Sequence, residues 1–162
     1  MVATEEKNIV FISLKVTNPQ EIGKLISLIH DEYFDVNDIK YHREQGIVEI
    51  PYRRIFHKGP RRTVCNWLFY IVQEVDVIRA KMLIHHVEEF KVNDPDKIGT
   101  YSFNDVDYDP DSSTLLLDSN TNLEFRMKVS QILIESQDLE MRGKSRISFF
   151  FFAESTSGKV YY

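Results

Sequence analysis

The chain contains little cysteine and little glycine. Of its 162 residues one is cysteine, Cys65, and six are glycine. A single cysteine excludes an intrachain disulfide and is typical of a reducing compartment. The glycines form neither of the phosphate-binding motifs G-x-G-x-x-G and G-x-x-x-x-G-K-[ST], and neither G-x-S-x-G nor H-E-x-x-H occurs. The sequence therefore indicates no cofactor, although enzymes exist that lack all of these motifs.

Long apolar runs and an excess of positive charge are also missing. No apolar run approaches the roughly 20 residues that a membrane helix needs. The first residues have no basic region followed by an apolar block, as a signal peptide would. The formal net charge is −5, which disfavours duplex nucleic acid as a partner. We expect a soluble, cytoplasmic protein that binds neither membranes nor duplex nucleic acid.

The clearest structural pattern lies within residues 113–140. Segments 115–118 and 123–129 are rich in apolar residues and flank four turn-forming residues at 119–122. In the second segment apolar and polar residues alternate, which is the period of a strand with one buried face. We predict an antiparallel hairpin whose apolar face forms a wall of the core.

One helix is predicted, over residues 19–32. Asn18 can accept from the N–H groups of the first turn, Pro19 suits the first helical position, and Glu21 suits a capping box and the positive helix end. An apolar stripe at helical spacing follows, formed by Ile22, Leu25, Ile26 and Ile29. We expect this amphipathic helix to lie across a sheet.

Most of the remaining chain predicts strands. They are placed at residues 8–16, 39–43, 47–53, 100–108 and 147–153, with a short tail strand at 158–162 as an addition. Pro51 indicates a short or edge strand. We expect a turn around Gly46, a bulge near 104–105, a turn at 109–112 and another turn at 142–144.

Residues 67–75 and 77–92 are ambiguous. Alternation favours strands in both, while helix-forming residues at 80–83 leave a helix as the alternative for the second. With strands there, the elements predict a single domain over residues 1–162. Its class is α+β, predominantly antiparallel β, as a single twisted sheet or partly open barrel with one packed helix near the N-terminus.

A cluster of positive charge marks the best candidate site. It consists of Arg53, Arg54, His57, Lys58, Arg61 and Arg62. We expect residues 54–63 to be a loop broken at Gly59-Pro60. Guanidinium groups bind carboxylate and phosphate through paired hydrogen bonds, and Phe56 offers a face on which a base could stack. The alternative is a solvated loop whose arginines pair with nearby acids.

Three other groups favour structural interpretations. Asp105, Asp107, Asp109 and Asp111 lie on one side of an extended chain, as calcium ligands would, but Pro110 and Leu116 occupy positions that a helix-loop-helix calcium site gives to glycine and glutamate. Adjacent His85 and His86 point to opposite faces of a strand. Cys65 lacks a catalytic signature and fits a half-buried small side chain. We predict no metal site.

The aromatic run Phe149, Phe150, Phe151 and Phe152 presents apolar rings to both faces of its strand. Either the helix at 19–32 covers the second face, or another chain does and the protein is a homodimer.

These observations predict a non-catalytic binding or protein-interaction module. Its basic loop at 53–62 would contact a small anionic ligand or an acidic protein partner. The alternative is an enzyme of unrecognised class with a cleft containing His30, Asp31, His57 or His86. A deep pocket with converging titratable groups would favour the enzyme.

Overall fold

The computed structural model describes residues 11–56, 59, 61–150 and 153–156. One helix, α1, spans Ile22–Ile29. The strands are β1 Ser13–Val16, β2 Tyr33–Asp35, β3 Lys40–His42, β4 Ile47–Ile55, β5 Arg62–Trp67, β6 Tyr70–Ile84, β7 Val87–Asn93, β8 Thr100–Asp109, β9 Thr114–Ser119, β10 Glu124–Val129, β11 Ile134–Phe150 and β12 Ala153–Thr156.

The strands form one antiparallel sheet that does not close on itself. Its order is β1-β11-β6-β4-β2-β8-β9-β10-β7, with β12 on β11, β3 on β4 and β5 on β6. This confirms the predicted class and the open, mostly antiparallel architecture. Buried side chains from both ends of this order, such as Val16 of β1 and Val87 of β7, belong to one core cluster. The sheet therefore curves so that its inner face encloses the core.

The predicted hairpin is confirmed as β9 and β10. The two strands pair antiparallel from Thr114 with Lys128 to Asp118 with Glu124. The apolar residues of the alternation are buried, and they are Leu123, Phe125, Met127 and Val129. The Phe125 ring lies 5.8 Å from the rings of both Phe34 and Phe90, so this wall joins β2 to β7.

The helix region differs from its prediction at both ends. A 3-10 turn at Pro19–Glu21 leads into α1, and the Asn18 side chain makes no capping hydrogen bond, so that part of the prediction was wrong. Instead Oε2 of Glu21 accepts from the backbone N of Thr17 at 3.0 Å. The helix ends at Ile29 rather than at residue 32. Its buried residues Ile22, Leu25 and Ile29 pack into the core beside β8 and β1.

Both ambiguous segments consist mainly of strand, so the helix alternative for 77–92 was wrong. The 77–92 segment is divided between β6 and β7, and His85 and His86 lie between the two strands, so they do not point to opposite faces of one strand as expected. Alternation in β6 buries Ile78, Ala80, Met82 and Ile84. Residues 67–75 are not one strand, however, because the chain turns at Leu68 and Phe69 between β5 and β6. Residues 80–83 favour a helix by their local propensity, but they form a strand because they pair with β4 on one side and β11 on the other.

Two predictions about strand ends were wrong. Pro51 lies in a nine-residue strand, β4, that is paired on both sides. It stands where one side of β4 changes partner from β3, which pairs up to Glu49, to β2, which begins at Tyr52, so its missing N–H costs no ladder bond there. Residues 142–144 do not turn the chain. They form a register shift inside the 17-residue β11, where Gly143 adopts φ 72°.

Other local predictions are confirmed. The β8–β9 pairing shifts register between Phe103 and Asp105, which is the expected bulge. Asp109 accepts from the backbone N of Asp111 and from Ser112 Oγ, at the expected turn. Residues 8–10, 151–152 and 158–162 lie outside the described residues, and their predicted strands stay predictions.

Candidate functional site

The basic segment is split by the pleat of β4. The predicted loop at 54–63 was wrong at both ends, because β4 continues through Ile55 and β5 begins at Arg62. Arg53 and Arg54 both lie in β4, and because side chains alternate along a strand they point to opposite faces. Arg54 points inward with Tyr52 and Ile50. Arg53 points outward with Pro51 and Glu49, away from the core. Each arginine therefore has its own environment.

Inward-pointing Arg54 is paired within the protein. Its Nε donates to Oδ1 of Asp138 at 3.1 Å and its Nη2 donates to Oδ2. The Asp138 side chain is almost fully buried, and its Oδ2 also accepts from the backbone N of Ile12 at 2.8 Å. Two hydrogen bonds from one guanidinium fix the plane of the carboxylate. The Arg54–Asp138 pair thus links β4 to β11, and Asp138 links both to Ile12. The Arg54 guanidinium therefore has a structural role.

A second carboxyl group, Glu32, is buried beside this pair. Its Oε2 accepts from the backbone N of Ile55 at 2.9 Å. Burial raises the pKa of Glu32 to about 8, although the hydrogen bond from Ile55 and the nearby Arg54 charge oppose the rise. The Arg54 guanidinium is hydrogen-bonded to Asp138 and acts on the Glu32 carboxyl group only through its charge. Glu32 is mostly neutral at pH 7.

Tyr52 and Ser136 extend the buried polar cluster. Their hydroxyl oxygens lie 2.8 Å apart across β6, and both residues are buried. Burial raises the pKa of Tyr52 to about 12, so the phenol stays protonated at neutral pH. The cluster has hydrogen-bond partners throughout and holds the sheet together from inside.

Outward-pointing Arg53 lines a surface cleft of about 350 Å³. Its lining residues come from β2 and the 3-10 turn after it, from β3, β4 and β6. The charged ones are Asp35, Asp38, Lys40, Glu49, Arg53 and Arg79. Three positive and three negative side chains therefore share one concave surface.

Arg53 and Arg79 are direct cross-strand partners in the β4–β6 pairing. Like charges in this position repel each other and destabilise a sheet by a few tenths of a kcal/mol, up to about 1 kcal/mol. Arg79 Nη1 has a carboxylate partner, Glu140 Oε1, at 3.5 Å. Among the described residues no carboxylate lies within ion-pair distance of Arg53. Arg53 therefore lies beside a second guanidinium and makes no direct ion pair with a described residue.

The other members of the predicted basic cluster lie elsewhere. The Arg61 guanidinium carbon is 5.8 Å from the centre of the Phe149 ring, a cation–π distance. Arg62 is exposed in β5, paired in register with Glu74 of β6. His57 and Lys58 lie outside the described residues. Neither Arg61 nor Arg62 is among the described residues that line the Arg53 cleft.

The acidic series and Cys65 have local explanations. Asp105 and Asp107 each accept from the backbone N of the next residue at 2.8 Å. Within the described part of the chain no group of three or more histidine, cysteine, aspartate or glutamate side chains is arranged to hold a metal ion. Cys65 is partly buried in β5.

The histidines of the enzyme alternative are separated. His30 Nδ1 contacts its neighbour Asp31 at 3.1 Å beyond the end of α1. His86 lies in the turn between β6 and β7 with φ 58°. His57 lies outside the described residues. The enzyme alternative stays a prediction, and His30, Asp31 and His86 are not among the described residues that line the cleft around Arg53.

A second notable surface is the apolar tip of the β5–β6 hairpin. Trp67, Leu68 and Phe69 are 73%, 81% and 70% exposed. Ile71 and Phe149 line a shallow cleft beside them. Phe149 also packs on a small cluster of Ile55, Val75 and Ile147. Since α1 packs beside β8 and β1, it does not cover this end of β11, and the homodimer alternative stays a prediction.

Sequence reasoning missed Lys40 and Arg79 as members of the cleft. Arg79 stands at a polar position of the β6 alternation, so its outward direction was readable. Its neighbour across the sheet was not readable, because β4 and β6 are paired by long-range register.

Comparison of the chain with models of protein families, with curated proteins and with solved structures finds no match. In the part of the chain that the structure describes, no helix is long and apolar enough to cross a membrane.

Proposed function

We propose that this protein is a non-catalytic binding module that takes an anionic ligand or an acidic partner at the Arg53 cleft. The observation that carries the proposal is the pairing of Arg53 with Arg79 on the floor of a concave surface. A sheet gains no stability from two guanidinium groups side by side. A bound carboxylate or phosphate would offset their repulsion and accept hydrogen bonds from both.

The proposal moves the centre of the predicted site from the 53–62 segment to the β4–β6 face. Arg53 belongs both to the predicted basic segment and to the cleft on the β4–β6 face. Arg54 is excluded because its guanidinium is occupied by Asp138 inside the protein. Arg61 and Arg62 lie outside the cleft lining.

The test is a titration with inorganic phosphate at constant ionic strength, followed by amide chemical shifts in NMR spectra. Saturable shifts are expected at Arg53, Arg79 and their neighbours. Arg53→Gln should abolish them and should raise the stability of the ligand-free protein slightly, because one repulsive charge is gone. Lys128→Gln, at an exposed position of β10, removes one positive charge elsewhere and should leave the phosphate shifts unchanged. Shifts that are absent from the cleft, or unchanged by Arg53→Gln, would overturn the proposal.

A further inference from the structure

A second cleft lies on the same outer face of the sheet as the Arg53 cleft. It has a volume of about 230 Å³ and lies over β1, β6 and β11. Its charged lining residues are Lys15, Lys81 and Glu135. Glu135 accepts from Lys15 at 3.4 Å and contacts Nε2 of His85 at 3.1 Å, so Lys15 is compensated. No carboxylate of the described residues lies within ion-pair distance of Lys81.

Lys81 connects the two clefts. Arg79 and Lys81 are successive outward positions of β6, which places them roughly 6.6 Å apart along the strand. Arg53 is opposite Arg79, and Pro51, opposite Lys81, adds no charge between them. The outer face thus carries a continuous basic row, Arg53–Arg79–Lys81, which runs from the first cleft into the second.

The spacing of this row matches an extended peptide. In a strand-like peptide, side chains that point to one face recur at every second residue, again roughly 6.6 Å apart. Acidic side chains at alternate positions of such a peptide would meet Arg79 and Lys81 in turn. Arg53 would contact the first of them from the neighbouring strand.

A continuous polyanion fits this face less well. Asp35, Asp38 and Glu49 line the first cleft and Glu135 the second. A nucleic-acid strand has a phosphate at every nucleotide and would meet these carboxylates, whereas a peptide can place neutral or basic residues there. The net charge of −5 also disfavours a nucleic-acid partner, because it repels the phosphate backbone.

We infer that the partner of this surface is an acidic peptide segment in extended conformation, with acidic residues at alternate positions, lying across both clefts. The inference rests on the proposed function and adds the partner class and the second cleft. The interaction is non-covalent binding, with no catalytic step.

The test is fluorescence anisotropy with a labelled peptide that carries three glutamates alternating with alanines. Matched probes are the same peptide with glutamine for glutamate, a peptide with one glutamate, and a thymidine oligonucleotide. We expect the three-glutamate peptide to bind at least about tenfold more tightly than either matched peptide, since one charged hydrogen bond is worth about a factor of ten.

Variants then locate the peptide. Arg53→Gln and Lys81→Gln should each weaken binding about tenfold, and Lys128→Gln should leave it unchanged. If Lys81→Gln has no effect or the one-glutamate peptide binds equally well, the extended-peptide inference is wrong, while phosphate shifts in the Arg53 cleft would still support the proposed function. Tighter, Lys81-dependent binding of the oligonucleotide would replace the peptide by single-stranded nucleic acid. If the cleft binds neither phosphate nor peptide, both proposals fall.

Discussion

Arg54 on β4 binds Asp138 on β11 across the strand that separates them, β6, although the two residues are 84 positions apart in sequence. The strand between them presents Ala80, which is in register with both Tyr52 and Asp138. Because alanine has a short side chain, the longer groups of β4 and β11 meet over it. The Arg54–Asp138 ion pair and the Tyr52–Ser136 hydrogen bond both use this arrangement.

Asp138→Asn should lower the free energy of unfolding by about 3 kcal/mol, because the mostly enclosed Arg54 charge loses its charged partner. Urea denaturation at pH 7 measures the change. Asp111→Asn, in an exposed turn, is the matched control and should stay within about 0.5 kcal/mol of the wild type. Replacing both partners, Arg54→Met with Asp138→Leu, should recover most of the loss. A single variant as stable as the wild type would contradict the assignment.

The buried carboxyl group of Glu32 predicts a pH dependence of stability. Its pKa is raised from 4.5 to about 8 in the folded protein, so the folded state holds a proton that the unfolded state releases. This contribution to stability is complete below pH 4.5 and is lost as the pH rises towards about 8, at about 1.4 kcal/mol for each pH unit.

Glu32→Gln should remove this slope, because glutamine has no proton to release. The measurement is urea denaturation from pH 5 to pH 9, with the wild-type curve subtracted. Glu88→Gln, on the exposed part of β7, should retain the wild-type profile. Parallel profiles for Glu32→Gln and the wild type would show that Glu32 is ionised in the fold.

Alanine substitutions at two glycines should change the stability of the protein in opposite directions. Gly46 has φ 63°, and an added Cβ would lie 3.2 Å from the carbonyl oxygen of Val87. Gly46→Ala should therefore destabilise the protein by about 1–2 kcal/mol, because a left-handed backbone is unfavourable for alanine. Gly23 lies in α1 with no atom within 4 Å of an added Cβ, so Gly23→Ala should stabilise by about 0.5–1 kcal/mol. Thermal unfolding of both variants measures the difference, and two shifts of the same sign would refute it.

The sequence alone determined those features that depend on neighbours in the chain. The alternation at 123–129 fixed which side chains of β10 are buried, since a strand turns successive residues to opposite faces. The turn residues before Gly46 and after Asp109 were readable because their backbone chemistry is local. Pro19 was readable as a helix start for the same reason, although Asn18 makes no side-chain cap and Glu21 accepts from Thr17, before the helix.

The tertiary structure decided everything that depends on which strands pair. Arg53 and Arg54 are adjacent in sequence, yet Arg54 points inward to Asp138 and Arg53 lies beside Arg79, because β4 has β6 as its neighbour and the pleat separates the two faces. Nothing local in the sequence specifies that register, since it follows from the packing of the whole core. The residues of the candidate site could therefore be predicted only in part, and the ion pair that excludes Arg54 from it could not be predicted at all.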